Sequence, residues 1–155
     1  MLITTLPGIS SVRPGYEGRI YQPSEIADNW DELAPFFVKC ERVSGGRLTM
    51  EKARERLQEG WGVLMSTVFQ GKIELVVVVE LTEYPGYKAA RIVWIAGRNA
   101  KEALHFLDAL EVWALTYGAV EIEGYCRPAM ARLTRRLGWE YKLMIVSRDL
   151  RRRLQ

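Results

Sequence analysis

Histidine occurs once in this chain of 155 residues and cysteine twice, and no apolar run is longer than the one at 75–79. Each scarcity removes a class of function. That run is far below the roughly 20 residues a membrane-crossing helix requires. Cys40 and Cys126 are too few for a disulfide framework and lack metal-ligand spacing, so they read as free thiols of a reducing compartment. The lone His105 has Lys101 and Asp108 as helical neighbours, which turns it toward water. No metal site is expected. The opening MLITTLPGISSVRPG lacks the basic start and apolar segment of a secretion signal, and the cytoplasm is the expected location. With 48% hydrophobic, 26% charged and 10% aromatic residues, the composition excludes disordered and fibrous classes and suits one globular domain with a real core.

Charge is nearly balanced, 22 cationic against 19 anionic residues, but unevenly placed. From 127 onward, nine cationic residues face only Glu140 and Asp149, so the remainder of the chain is net acidic. Such asymmetry suits nucleotide phosphates, nucleic acid, an acidic partner or simply a solvated basic tail. Residues 1–18, rich in Gly, Pro, Ser and Thr without a period, read as an extended arm lying on the domain or on a partner. The domain then spans 19–150, and 151–155 form a basic tail.

Within the domain the pattern predicts a strand at 18–23. A helix capped by Ser24 or Asp28 follows, with Trp30, Leu33, Phe37 and Val38 at helical spacing and a kink or split at Pro35. Thr49 caps a second helix, which Gly60 ends. Strands at 61–69, 73–81 and 89–95 come next, joined by turns at 70–72 and 84–87. The β-branched stretch 73–81 reads as a central strand covered on both faces. A long helix over 100–117 carries a wide apolar stripe that includes Phe106, Leu107, Leu110 and Trp113. A strand at 120–126, a short helix at 128–137 and a last strand at 141–146 complete the order β-α-α-β-β-β-α-β-α-β.

The closing segment, AVEIEGYCRPAMARLTRRLGWEYKLMIV, places Leu133, Leu137, Gly138 and Trp139 at a helix end before the last strand. With the element order, it resembles the GNAT superfamily of N-acetyltransferases over essentially the whole chain after the arm. Taken with WIAGRNAKEALHFLDALEVWALTYGA, it is similar to small GNAT-like proteins of tailed bacteriophages. The resemblance implies an α/β fold with a mixed, mostly antiparallel sheet and helices on both faces. In it, 89–95 and 120–126 run parallel and splay apart to admit acetyl-CoA.

The resemblance also implies where the chemistry would sit. The family's Gly-rich, pyrophosphate-binding loop corresponds to Ala96-Gly97-Arg98-Asn99-Ala100, and Trp94 and Ile95 lie on the strand that lines the acyl site. Arg98 stands where the first glycine belongs, so acetyl-CoA binding is expected to be weak or absent, with the amides of 97–100 as its contacts. The family's acid, a Tyr preceding x-x-Leu-Gly, is replaced by Thr134, a poor proton donor to a thiolate. Tyr125 and Tyr141 are the nearby substitutes. Strand carboxylates act as base in the family, and Glu80, Glu121 and Glu123 are candidates, the last two sharing a strand face with Tyr125.

The expected role is a phage-encoded protein that keeps the scaffold, with worn catalytic motifs, for assembly within or around a virion. Its protein partners would be met through the arm and the basic C-terminus, in the host cytoplasm or on the particle. Two alternatives stand beside it: an acetyl-CoA-dependent N-acetyltransferase acting on an amine, and a nucleic-acid-associated protein. The last is disfavoured because the basic residues lack interleaved aromatics.

Overall fold

β-branched and aromatic residues fill three successive stretches, and these form the middle of a six-stranded sheet. The computed structural model describes residues 4–5, 14–98, 100–126, 128–143, 147–148 and 150–151, with backbone alone at 4–5 and 100–104. The strands are β1 (Thr4–Thr5), β2 (Tyr16–Tyr21), β3 (Val63–Phe69), β4 (Lys72–Glu83), β5 (Lys88–Gly97) and β6 (Glu121–Gly124), in that spatial order. Neighbours pair antiparallel except β5 and β6, which run parallel. Gln70 and Gly71 join β3 to β4 with φ of 50° and 75°, the left-handed pair that a two-residue hairpin loop needs.

Helices α1 (Trp30–Ser44) and α2 (Met50–Gln58) cover one face. Their Trp30, Leu33, Phe37, Ala53 and Leu57 share a core with Val76, Val78 and Trp94. The opposite-parity residues Leu75, Val77 and Val79 are equally buried. Their face meets α3 (Ala100–Thr116), which packs on β4, β5 and β6 and buries Phe106, Leu107, Leu110, Trp113 and Ala114. β4 is therefore covered on both sides, as its unbroken apolar run requires. His105, on the same helix, is exposed.

Three local expectations need correction. The first full strand starts at Tyr16, because the Tyr16 ring stacks on its register partner Phe69 at 4.6 Å. Thr4–Thr5 also pairs with β2, so at these points the arm lies on its own sheet. A 3-10 turn, Pro23–Glu25, precedes α1, and Glu25 folds back to accept from Gln22 N at 2.7 Å. The helix consequently starts behind Asn29, and neither Ser24 nor Asp28 caps it. Pro35 leaves α1 unbroken: it sits in the second turn on an exposed face, where it removes one donor without splitting the helix. Thr49 caps α2 as expected, accepting from Lys52 N at 3.2 Å.

The chain divides into two compact units, Met1–Tyr125 and Cys126–Gln155. The second contains α4 (Pro128–Arg135), which starts on proline and buries Ala131. Gly138, at φ 84°, ends it. Of the last strand expected over 141–146, residues 141–143 are not in a strand, and 144–146 lie outside the described residues. Among the described residues, no helix is long and apolar enough to cross a membrane.

Candidate functional site

β5 and β6 share four rungs, from Ala89↔Glu121 to Ile92↔Gly124, and β5 then continues to Gly97 paired with β4 only. Two hydrogen bonds fix the direction of its peptide groups. Val120 N donates to Lys88 O at 2.9 Å, so the peptide groups of Lys88, Ala90 and Ile92 face the β6 side. Arg98 N donates to Glu74 O at 3.1 Å, so those of Trp94, Ala96 and Arg98 face β4. Direction alternates along a regular strand. Both sets are even-numbered, so one extra residue must lie between them. That residue is Val93, left over as a bulge because Val78 pairs with Trp94 and Val79 with Ile92. Beyond it, Ile95 and Gly97 point N–H and C=O into the fork that opens where β6 departs.

Helix α1 lines the same edge. Cys40 Sγ lies 3.5 Å from Ile95 O and Lys39 Nζ 3.5 Å from Gly97 O, both as donors. The outward carbonyls are thus engaged from the helix, and what the edge offers a ligand is its N–H groups. Gly97 has a structural duty here: a Cβ would stand 2.8 Å from Leu75 Cδ1 and 3.1 Å from Glu74 O. Trp94 is buried against Phe37, with ring centroids 5.1 Å apart. Its indole N–H neighbours the Cys40 sulfur without reaching hydrogen-bond geometry. Burial pushes the Cys40 thiol up to about 11.

At the closed end of the fork a charged rung crosses three strands, since Glu80, Arg91 and Glu123 are direct register partners. Arg91 donates from Nε to Glu123 at 2.8 Å, from one terminal nitrogen to Glu80 at 3.0 Å, and from the other to Tyr84 OH at 2.8 Å. Tyr84 in turn donates to Glu123 at 2.7 Å. The hydrogen bond to Glu123 raises the pKa of Tyr84 and is the first cause of the rise at Arg91, which burial opposes. The Tyr125 ring lies 5.9 Å from the guanidinium carbon.

Glu80, Glu123 and Tyr125 are therefore brought together, around an arginine that the sequence reading did not single out. A signal for it existed. The Tyr84–Tyr87 turn closes with bonds in both directions, and counting back from it sets Glu80 opposite Arg91. The reach to Glu123 depends on the α3 crossover and cannot be counted. Glu121 pairs with Ala89, two rungs from the arginine. In the loop, the Arg98 amide is committed to β4, Asn99 lies outside the described residues, and Ala100 opens α3. Thr134 belongs to the second unit, where its hydroxyl donates to Met130 O at 3.2 Å and Ala131 O at 3.1 Å within its own helix. Among the described residues no cluster of His, Cys, Asp or Glu is arranged to hold a metal ion.

No family model and no curated protein sequence matches the chain. Solved structures do. An aminoglycoside acetyltransferase from an uncultured soil metagenomic sample superposes with a TM-score of 0.64 at 17% identity, covering 86% of this chain and 97% of that one. An aminoglycoside N-acetyltransferase in complex with CoA gives 0.62 at 12%, covering 86% and 93%. A GNAT family acetyltransferase from Staphylococcus aureus gives 0.65 at 12%, covering 88% and 99%. With the parallel β5–β6 pair, the forked edge and helices on both faces, the chain has the fold of the GNAT acetyltransferases.

Proposed function

We propose that the fork binds the acyl-pantetheine end of acetyl-CoA and that the protein is a slow N-acetyltransferase acting on an amine. The observation that carries this reading is the pair of outward amides at Ile95 and Gly97, on an edge whose carbonyls α1 already engages. Such an edge accepts a ligand rich in carbonyl oxygens. When bound, acetyl-CoA supplies an acyl group activated as a thioester. The Ile95 N–H is the outward donor nearest the closed end, suited to an acyl oxygen that gains charge as an amine attacks. Glu80 and Glu123 outnumber Arg91 and favour a cationic acceptor. One commitment slows the chemistry: the Arg98 amide is held by Glu74 and is withheld from a pyrophosphate oxygen. The dissociation constant for acetyl-CoA should be in the high micromolar range, roughly −5 to −6 kcal/mol. Calorimetric titration tests this. No heat at millimolar acetyl-CoA overturns the reading, and a sub-micromolar constant overturns the weak affinity.

A second reading, a phage-encoded assembly or virion component on the same scaffold, is favoured by exposure in the second unit. Tyr141, Leu143 and Leu150 are exposed there, and so are Arg132, Arg135 and Arg136. Such a surface suits an acidic protein partner with an apolar centre. Removing 148–155 should then abolish co-purification with that partner and leave thermal unfolding unchanged. Unaltered association rejects it.

A further inference from the structure

We infer that the Glu80–Arg91–Glu123 rung sets an upper limit on acyl length; the inference rests on the proposed acyl-CoA reading and specifies its substrate class as the shortest acyl thioesters. An acyl-pantetheine laid along the β5 edge from the Gly97 end would pass Ile95 and meet the last shared rung of β5 and β6 at Ile92↔Gly124. One residue further in stands the rung. Its three side chains are only 21–25% exposed and are tied to one another and to Tyr84 by four hydrogen bonds of 2.7–3.0 Å. The arginine holds these groups in one arrangement, and the Tyr125 ring lies beside it.

An acetyl methyl ends short of such a wall. A longer chain must either cover the ion network, stripping water from two carboxylates and a guanidinium, or break it and leave a charge unpaired. At the same end Gly124 pairs with Ile92, the last rung that β5 and β6 share. The floor between is Trp94, buried against Phe37 and fixed in place. Chain length is therefore limited by charge as well as by volume, and removing the charge should lift the limit.

The test is calorimetric binding of CoA, acetyl-CoA and hexanoyl-CoA to the wild-type chain, to Arg91→Met/Glu123→Gln and to Arg91→Met/Glu80→Gln/Glu123→Gln, each first checked for cooperative unfolding. In the wild type, hexanoyl-CoA should bind no tighter than acetyl-CoA. In the variants each added methylene should gain up to roughly four-fold, so hexanoyl-CoA should lead acetyl-CoA by roughly ten-fold or more. Should a variant fail to fold, Glu123→Gln alone, which keeps shape and hydrogen bonding, should shift the hexanoyl-to-acetyl ratio the same way. CoA and acetyl-CoA binding with an unchanged ratio in every folded variant overturns the length limit alone. A wild type that binds hexanoyl-CoA ten-fold tighter than acetyl-CoA also overturns it. Absence of binding by all three thiols and thioesters overturns the acyl-CoA reading and the limit with it.

Discussion

Taking the guanidinium from Arg91 would leave Glu80 and Glu123 facing each other across β5, Glu123 with the Tyr84 hydroxyl and Glu80 with that of Thr82 at 3.4 Å. Arg91→Ala should cost about 1–3 kcal/mol in urea unfolding, short of a fully buried pair because the groups keep some water. Arg91→Lys should recover only part, since one ammonium cannot span three directed acceptors; full recovery would mean that charge alone matters. Gly97→Ala should cost about 1–3 kcal/mol by overpacking against Leu75 and the Glu74 carbonyl. The two thiols should differ as well. Cys126 is exposed, whereas burial lifts Cys40 from 9.0 to about 11. A thiol reagent at pH 8 should label Cys126 first and Cys40 slowly, and Cys40→Ser should remove only the slow phase. Because the folded thiol holds its proton longer than the unfolded one, its stabilising share is complete below pH 9 and is lost as pH rises toward 11. An unfolding profile identical in Cys40→Ser across that window would contradict the burial.

At the scale of elements, Pro35 offers the sharpest test. It deprives α1 of one internal hydrogen bond while its side chain is exposed, so Pro35→Ala should raise stability by about 1–3 kcal/mol, read from the thermal midpoint. No change would show that the helix had adapted to the missing donor. β3, β4 and β5 were legible because β-branched runs and two short turns announce them, and α3 because its apolar stripe is wide. The start of α1 was not, since the 3-10 turn at Pro23–Glu25 uses the same polar residues that normally cap a helix. The bulge at Val93 was equally hidden. Ile92, Val93, Trp94 and Ile95 are all good strand formers, and nothing in their chemistry says which one is skipped by the partner. Arg91 looked like an ordinary charge at the rim of a strand until register gave it neighbours on both sides.

For the molecule as a whole, all six strands among the described residues fall in Met1–Tyr125, and the second unit has one described residue buried, Ala131. A peptide of 126–155 should therefore show little helicity by circular dichroism, because an eight-residue helix is too short to persist in water unaided. Strong helicity in that peptide would reverse the expectation. The bulge has a consequence in heredity too. Deleting Val93 would leave Ile92 opposite Val79 and Trp94 opposite Val78, so every pairing with β4 would survive. What would go is the irregularity that bends β5 away, and a straight β5 has no reason to part from its parallel neighbour. The loss of a single codon would then zip the cleft shut without unfolding the sheet, and the regaining of one would reopen it. A lineage carrying this scaffold stands one in-frame triplet from trading an open edge for a sealed wall.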